Sequence, residues 1–161
     1  MNRYLLLLPL FVWLAACGSP PPHAALTPSP TPTGGPHHLG QAVTVPGWQI
    51  TIASTKTATT IGLMAPAQHS DRFLILQVTL RNTSQASATA SDTSFYCLDA
   101  NGTKYAMVQL PAGTPSIDGP LAAGHAASGQ ITYEVPASVQ QFTIQYRSDA
   151  GTVLATWQLP A

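Results

Sequence analysis

Few side chains in this sequence can do chemistry. The 161 residues hold two cysteines, Cys17 and Cys97, five histidines and six carboxylates. Cys17 closes the run Leu14-Ala15-Ala16-Cys17, directly after the apolar stretch Tyr4 to Leu14. Asn2 and Arg3 precede that stretch with one positive charge. A charged start, a short apolar run and small residues at its end form a secretory signal. The run is too short for a membrane span, which needs about 20 residues. A cysteine at the end of such a segment is placed for modification of its thiol, and Ala15 and Ala16 are small enough for a peptidase cleft.

The Leu-Ala-Ala-Cys ending resembles the lipobox of bacterial lipoproteins. The resemblance implies cleavage between Ala16 and Cys17 and a diacylglycerol on the Cys17 thiol. Two acyl chains hold a protein on a bilayer where one does so only marginally. The resemblance therefore implies an extracytoplasmic protein anchored to the bacterial cell membrane through Cys17, without need of a basic patch. It also leaves Cys97 without an intramolecular disulfide partner on the oxidising side of the membrane. Cys97 sits in Ser94-Phe95-Tyr96-Cys97-Leu98, a strand-like apolar context. A buried thiol is expected there, because a reactive one needs a neighbouring base or cation.

The remaining candidates do not assemble in sequence. His23, His37 and His38 fall in a Pro-rich segment, His69 next to Ser70 and Asp71, and His125 after Gly124. No H-x-H or H-E-x-x-H spacing suggests a zinc site. A copper site combining histidine with Cys97, Met64 or Met107 is an alternative that the spacing does not support. Asp71, Asp92, Asp99, Asp118, Glu134 and Asp149 fall mostly at turns or strand ends, where aspartate bonds its own backbone. There is no G-x-S-x-G elbow and no sign of two carboxylates facing one cleft, as a glycosidase requires. No catalytic residue, metal or cofactor is expected.

Charge narrows the partners. Lys plus Arg and Asp plus Glu number six each. The basic residues beyond the signal, Lys56, Arg72, Arg81, Lys104 and Arg147, are scattered, which excludes a nucleic-acid footprint.

Three segments follow. Residues 1–16 are the signal peptide. Residues 17–40 are the lipidated cysteine and a Pro/Thr/Gly-rich linker, rich in prolines from Pro20 to Pro36. Such a composition cannot bury enough apolar surface to order itself, and it reaches about 70 Å if extended at about 3.1 Å per residue. Residues 41–161 form one domain with a period of two.

In that domain, Gln41–Val45 leads through Pro46-Gly47 to Trp48, Ile50 and Ile52 alternating with polar residues. Lys56–Ser70 reads as a loop with a short helical turn. Phe73–Leu80 is the most hydrophobic strand, expected at the centre and covered on both faces near its start. Ala88–Leu98 reads as one strand, and Asn101-Gly102 as a hairpin turn back into Thr103–Val108. Leu110–Gly124 is a long loop. His125–Val135, Gln141–Arg147 and Thr152–Leu159 complete an all-β, antiparallel sandwich. Trp48, Leu76, Val78, Leu80, Phe95, Ile131, Tyr133, Phe142, Ile144, Tyr146 and Trp157 are the expected core, each worth about 1.5–3 kcal/mol when buried. Two long loops, 56–70 and 108–124, interrupt the strands. Ile61, Leu63 and Met64 in the first are either an exposed apolar contact or a cap on the core.

Asp71-Arg72-Phe73-Leu74-Ile75-Leu76-Gln77-Val78-Thr79-Leu80-Arg81-Asn82 resembles a strand of the telokin-like DUF4352 family. Phe95 to Tyr105, with Asp99 and Gly102, is similar to that family's hairpin. Leu121-Ala122-Ala123-Gly124 through Tyr133-Glu134-Val135-Pro136 is similar to a later segment, and the order is the same. The resemblance implies an immunoglobulin-like sandwich of the MPT63 type and no established activity. The function expected is a non-enzymatic, lipid-anchored binding or interaction module of the cell envelope, with a protein or cell-wall partner. The alternative is a metal-binding or metal-delivery lipoprotein using histidine and methionine.

Overall fold

Alternating β-branched, aromatic and polar residues pleat into strands wherever one face finds a core. The computed structural model describes residues 35–160; Ala16, Cys17, His23, the signal segment and the linker to residue 34 lie outside the described residues. The strands are β1 (Ala42–Val45), β2 (Trp48–Ala58), β3 (Asp71–Asn82), β4 (Ala88–Ala90) and β5 (Phe95–Leu98). They continue with β6 (Lys104–Tyr105), β7 (Gly119–Leu121), β8 (Ala126–Pro136), β9 (Gln141–Arg147) and β10 (Val153–Pro160). One sheet runs β1-β2-β3-β8 and the other β10-β9-β5-β6, with β4 and β7 as a separate pair. All these pairings are antiparallel, as the expected sandwich requires.

Ten of the eleven expected core residues are buried; the other, Trp48, is half-buried and packs against the core from the end of β2. Strand β3 is central, between β2 and β8. Phe73, Leu74, Ile75 and Leu76 are all buried, and from Gln77 onward burial alternates. Leu74 and Leu76 face the core cluster. Phe73 pairs with Glu134 and Ile75 with Thr132, so these four share the outer face. The 59–70 loop folds towards that face: Ala67 N donates to Glu134 Oε1 at 2.6 Å. Both faces of the strand's start are therefore covered, as its unbroken apolar run predicted.

Several elements differ from the sequence reading. Ala88–Leu98 is not one strand. It breaks after Ala90 into a 3-10 turn at Asp92–Ser94, and β5 starts in the other sheet. Ser91 Oγ accepts from Thr93 N at 3.3 Å, and Asp92 N donates to Asp118 Oδ1 at 2.7 Å. These side chains offer the backbone an alternative to the ladder. The 56–70 segment contains no helical turn: β2 runs to Ala58, and Ile61 and Met64 exchange backbone hydrogen bonds of 2.9 and 3.0 Å around Gly62-Leu63. The 108–124 loop conceals β7 and the fully buried Ile117. Upstream of Gln41, His37 already pairs with β10: its N donates to Thr156 O at 2.8 Å and its ring lies 5.8 Å from that of Trp157.

Two close contacts fix the loops. Asn82 is wholly buried at the end of β3; its Nδ2 donates to Ala86 O and Leu121 O, and its Oδ1 accepts from Ser84 N and Oγ. Gly129 in β8 lies beneath the backbone of residues 115–117. A Cβ at this position would stand 2.6 Å from Ser116 C, 2.7 Å from Ile117 N and 2.8 Å from Pro115 O. The obstructing atoms are backbone, which Gln130 N binds through Pro115 O at 2.9 Å. Gly129→Ala should therefore cost about 1–3 kcal/mol in urea unfolding. Gly35→Ala, with open space around it, should stay within about 0.5 kcal/mol of the parent.

Candidate functional site

The two sheets meet differently on their two sides. On one, β1 packs against β10. On the other, a crossing segment joins the short edge strand β6 to β8, and the candidate site lies there.

The hairpin before β6 is built by Asp99. Its Oδ1 accepts from Asn101 N and Thr103 N, both at 2.8 Å, and its Oδ2 from Tyr105 Oη at 3.2 Å. Hydrogen bonding, first from Thr103 and then from Asn101 and Tyr105, holds its carboxyl below the usual carboxylate range. Gly102 supplies the left-handed residue at φ 81°. Lys104 pairs with Leu98 and Tyr105 with Cys97. The chain then leaves the sheet. Ala106 O accepts from Glu134 N, Met107 bridges to Tyr133, and Val108 N donates to Thr132 O at 2.8 Å. The expected return strand Thr103–Val108 is thus divided between two sheets.

This departure leaves Phe95 and Tyr96 with no strand partner among the described residues on the β6 side of β5. A notch of about 470 Å³ opens there, lined by Phe95, Tyr96, Lys104, Tyr105, Met107 and Tyr133, with Thr93 and Ala106 at its rim. The size and the mainly apolar, aromatic lining suit a small ligand. Two cations lie against the Tyr96 ring: Lys104 Nζ at 4.1 Å and Arg147 Cζ at 4.6 Å from its centroid. Tyr133 is 1% exposed and its Oη has no hydrogen-bond partner among the described residues. Burial pushes that phenol well above its ordinary pKa, so it remains a neutral donor.

Beside the notch, and sharing Met107 with it, is a smaller polar cavity of about 100 Å³ lined by Asp92, Asp118 and Thr132 among others. Asp118 also accepts from Ser116 Oγ at 2.7 Å. Burial, then the Asp118 charge and a hydrogen bond to its carboxyl, raise the Asp92 pKa. Sequence reading treated these acids as unrelated turn residues; the break after Ala90 brings them together across 26 positions. They touch one another, whereas the carboxylate pairs of glycosidases stand about 5 Å or more apart.

The other candidates stay apart. Cys97 is wholly buried in the core, and burial, then Asp99, pushes its thiol up to about 12. His69 and His125 are exposed, Met64 sits in the 61–64 turn and Met107 lines the notch. Among the described residues, no three of His, Cys, Asp and Glu converge as a metal site would require. In the 61–64 turn, Leu63 is fully exposed while Ile61 and Met64 are half-buried, so the apolar trio is split between contact with solvent and with the fold.

The family model described as "Domain of unknown function (DUF4352)" matches residues 37–153. The chain belongs to the DUF4352 family. Its match begins at His37, the first of the described residues to pair with β10. Three solved structures share the fold. One is the ycdA protein, a lipoprotein candidate from Bacillus subtilis subsp. subtilis str. 168, at a TM-score of 0.63 and 12% identity. The match covers 77% of this chain and 39% of ycdA, so this chain spans well under half of that protein. The secreted protein MPT63 from Mycobacterium tuberculosis matches at 0.60 and 17% identity, over 79% of this chain and 100% of its own. The yjhA protein from Bacillus subtilis matches at 0.58 and 20% identity, over 69% and 81%. No curated protein matches the chain. At these identities the likeness speaks for the fold alone.

The acid pair makes stability depend on pH. Because the folded Asp92 pKa is raised, its protonated form is favoured on folding. That contribution is present below the ordinary value of 3.8 and is lost as pH rises through the raised folded value. Asp92→Asn keeps the backbone bond to Asp118 and removes the repulsion. The variant should therefore unfold at higher urea than the parent at pH 7, by a margin limited by solvent screening, with the gain vanishing below pH 3.8. An unchanged pH profile in parallel urea titrations would refute the pairing.

Proposed function

We propose that this protein is a non-enzymatic, lipid-anchored binding module on the outer side of a bacterial cell membrane. In this reading the precursor is cut between Ala16 and Cys17, and Cys17 carries the lipid. The likeness to a lipoprotein candidate and to a secreted protein supports an extracytoplasmic place, and the Leu14–Cys17 sequence supports the anchor. The observation that carries the binding role is the notch, a concave, aromatic-lined gap beside the edge strand of a sandwich. Loops and edges on a rigid β-scaffold are common places for recognition. The partner is a component of the envelope, protein or cell wall.

Two measurements test this reading. Cys17→Ser should abolish incorporation of labelled lipid, leave unprocessed precursor and release the domain from membranes; normal cleavage and attachment in the variant would overturn the anchor. A photoreactive residue replacing Met107 should give a reproducible adduct in intact cells, absent when the same group replaces exposed Gln158. Equal labelling from both positions would overturn the assignment of the notch.

A further inference from the structure

The notch combines an apolar lining with positive charge at its mouth. Its walls are apolar and aromatic. Two cations stand at Tyr96, and the contacts they make leave their charge in place: Lys104 rests on the ring, and Arg147 Nε and Nη2 donate to the neutral Gln145 Oε1 at 3.1 and 2.6 Å. The carboxylate of the hairpin before β6, Asp99, accepts from Asn101, Thr103 and Tyr105.

Resting on the proposed binding role, we infer that the group filling the notch is an amphipathic carboxylate: an apolar chain or ring ending in an anionic head. The apolar body lies against Met107, Phe95 and the Tyr133 ring. The head meets the Lys104 ammonium at the mouth, with Arg147 across the Tyr96 ring adding to the positive field. The cations give the site its sign, and a carboxylate recovers a charge-assisted hydrogen bond there. A cationic or purely polar ligand would oppose one of these two features.

Decanoate is the probe, with decanol and decyltrimethylammonium as neutral and cationic counterparts of equal chain length. Titration of the 15N-labelled domain (residues 35–161), after the same measurement has shown it folded, should give saturable shifts at Tyr96, Lys104, Met107 and Tyr133. Affinity across hexanoate, octanoate and decanoate should rise about fourfold per methylene until the notch is full. Lys104→Gln should weaken decanoate about tenfold and leave decanol unchanged.

Equal binding of all three decyl compounds overturns the inference, as do shifts centred on Phe142 and Leu159. So does unaltered decanoate affinity in the Lys104→Gln variant. Adducts from position 107 without decanoate binding would discard the ligand class and leave the binding role standing.

Discussion

The passage of residues 115–117 over Gly129 is the constraint on which the rest of this molecule depends. A strand buried in a sheet ordinarily carries side chains that hold other backbone away. At Gly129 there is none, and the crossing chain comes within the distance a Cβ would occupy. That approach buries Ile117, places Asp118 against Asp92 and anchors the far end of the segment that leaves β6 at Tyr105. The near end is held by Ala106 and Val108 on β8. Between these points the second sheet loses its edge partner, and the notch is the space left behind. Asn82 performs the matching task at the end of β3, using four hydrogen bonds to hold the chain before β4 and the β7 strand.

The notch follows from an economy in the fold. A longer β6 would have paired with Phe95 and Tyr96 and covered the edge of β5. The chain instead uses its next residues to bind β8, the other exposed edge, so one short segment protects two sheets. Edge strands left bare invite pairing with other chains; this arrangement pairs part of each edge and leaves a gap between. The gap is aromatic because the alternation of β5 and β8 brings Phe95 and Tyr133 inward, while Tyr96 turns to the outer face and meets the cations there.

Much of the fold was legible in advance because it rests on local signals. The period of two in 48–52, 125–135, 141–147 and 152–159 placed four strands. The unbroken apolar run Phe73–Leu76 placed another centrally, and Asn101-Gly102 placed the hairpin. Ten of the eleven core residues followed from alternation. What failed were the positions where a distant partner decides. Ser91 and Asp92 look compatible with a strand until Asp118, 26 residues away, accepts the Asp92 N–H. Ile117 lies in a segment whose prolines and glycines signal only a loop, yet it is wholly buried. His37 falls in a proline-rich stretch, yet it pairs with Thr156.

By itself, the sequence determined an all-β sandwich, its central strand, its hairpin and most of its core, since alternation and turn chemistry act over a few residues. It also determined the chemistry available: one cysteine in a lipobox-like context, sparse charge and no local catalytic motif. The tertiary structure alone decided where those side chains meet. The notch joins residues from 93 to 133, and the acid pair joins 92 to 118; each depends on which backbone passes over Gly129. A glycine in a strand signals that close approach is allowed, but only the folded chain shows what comes close.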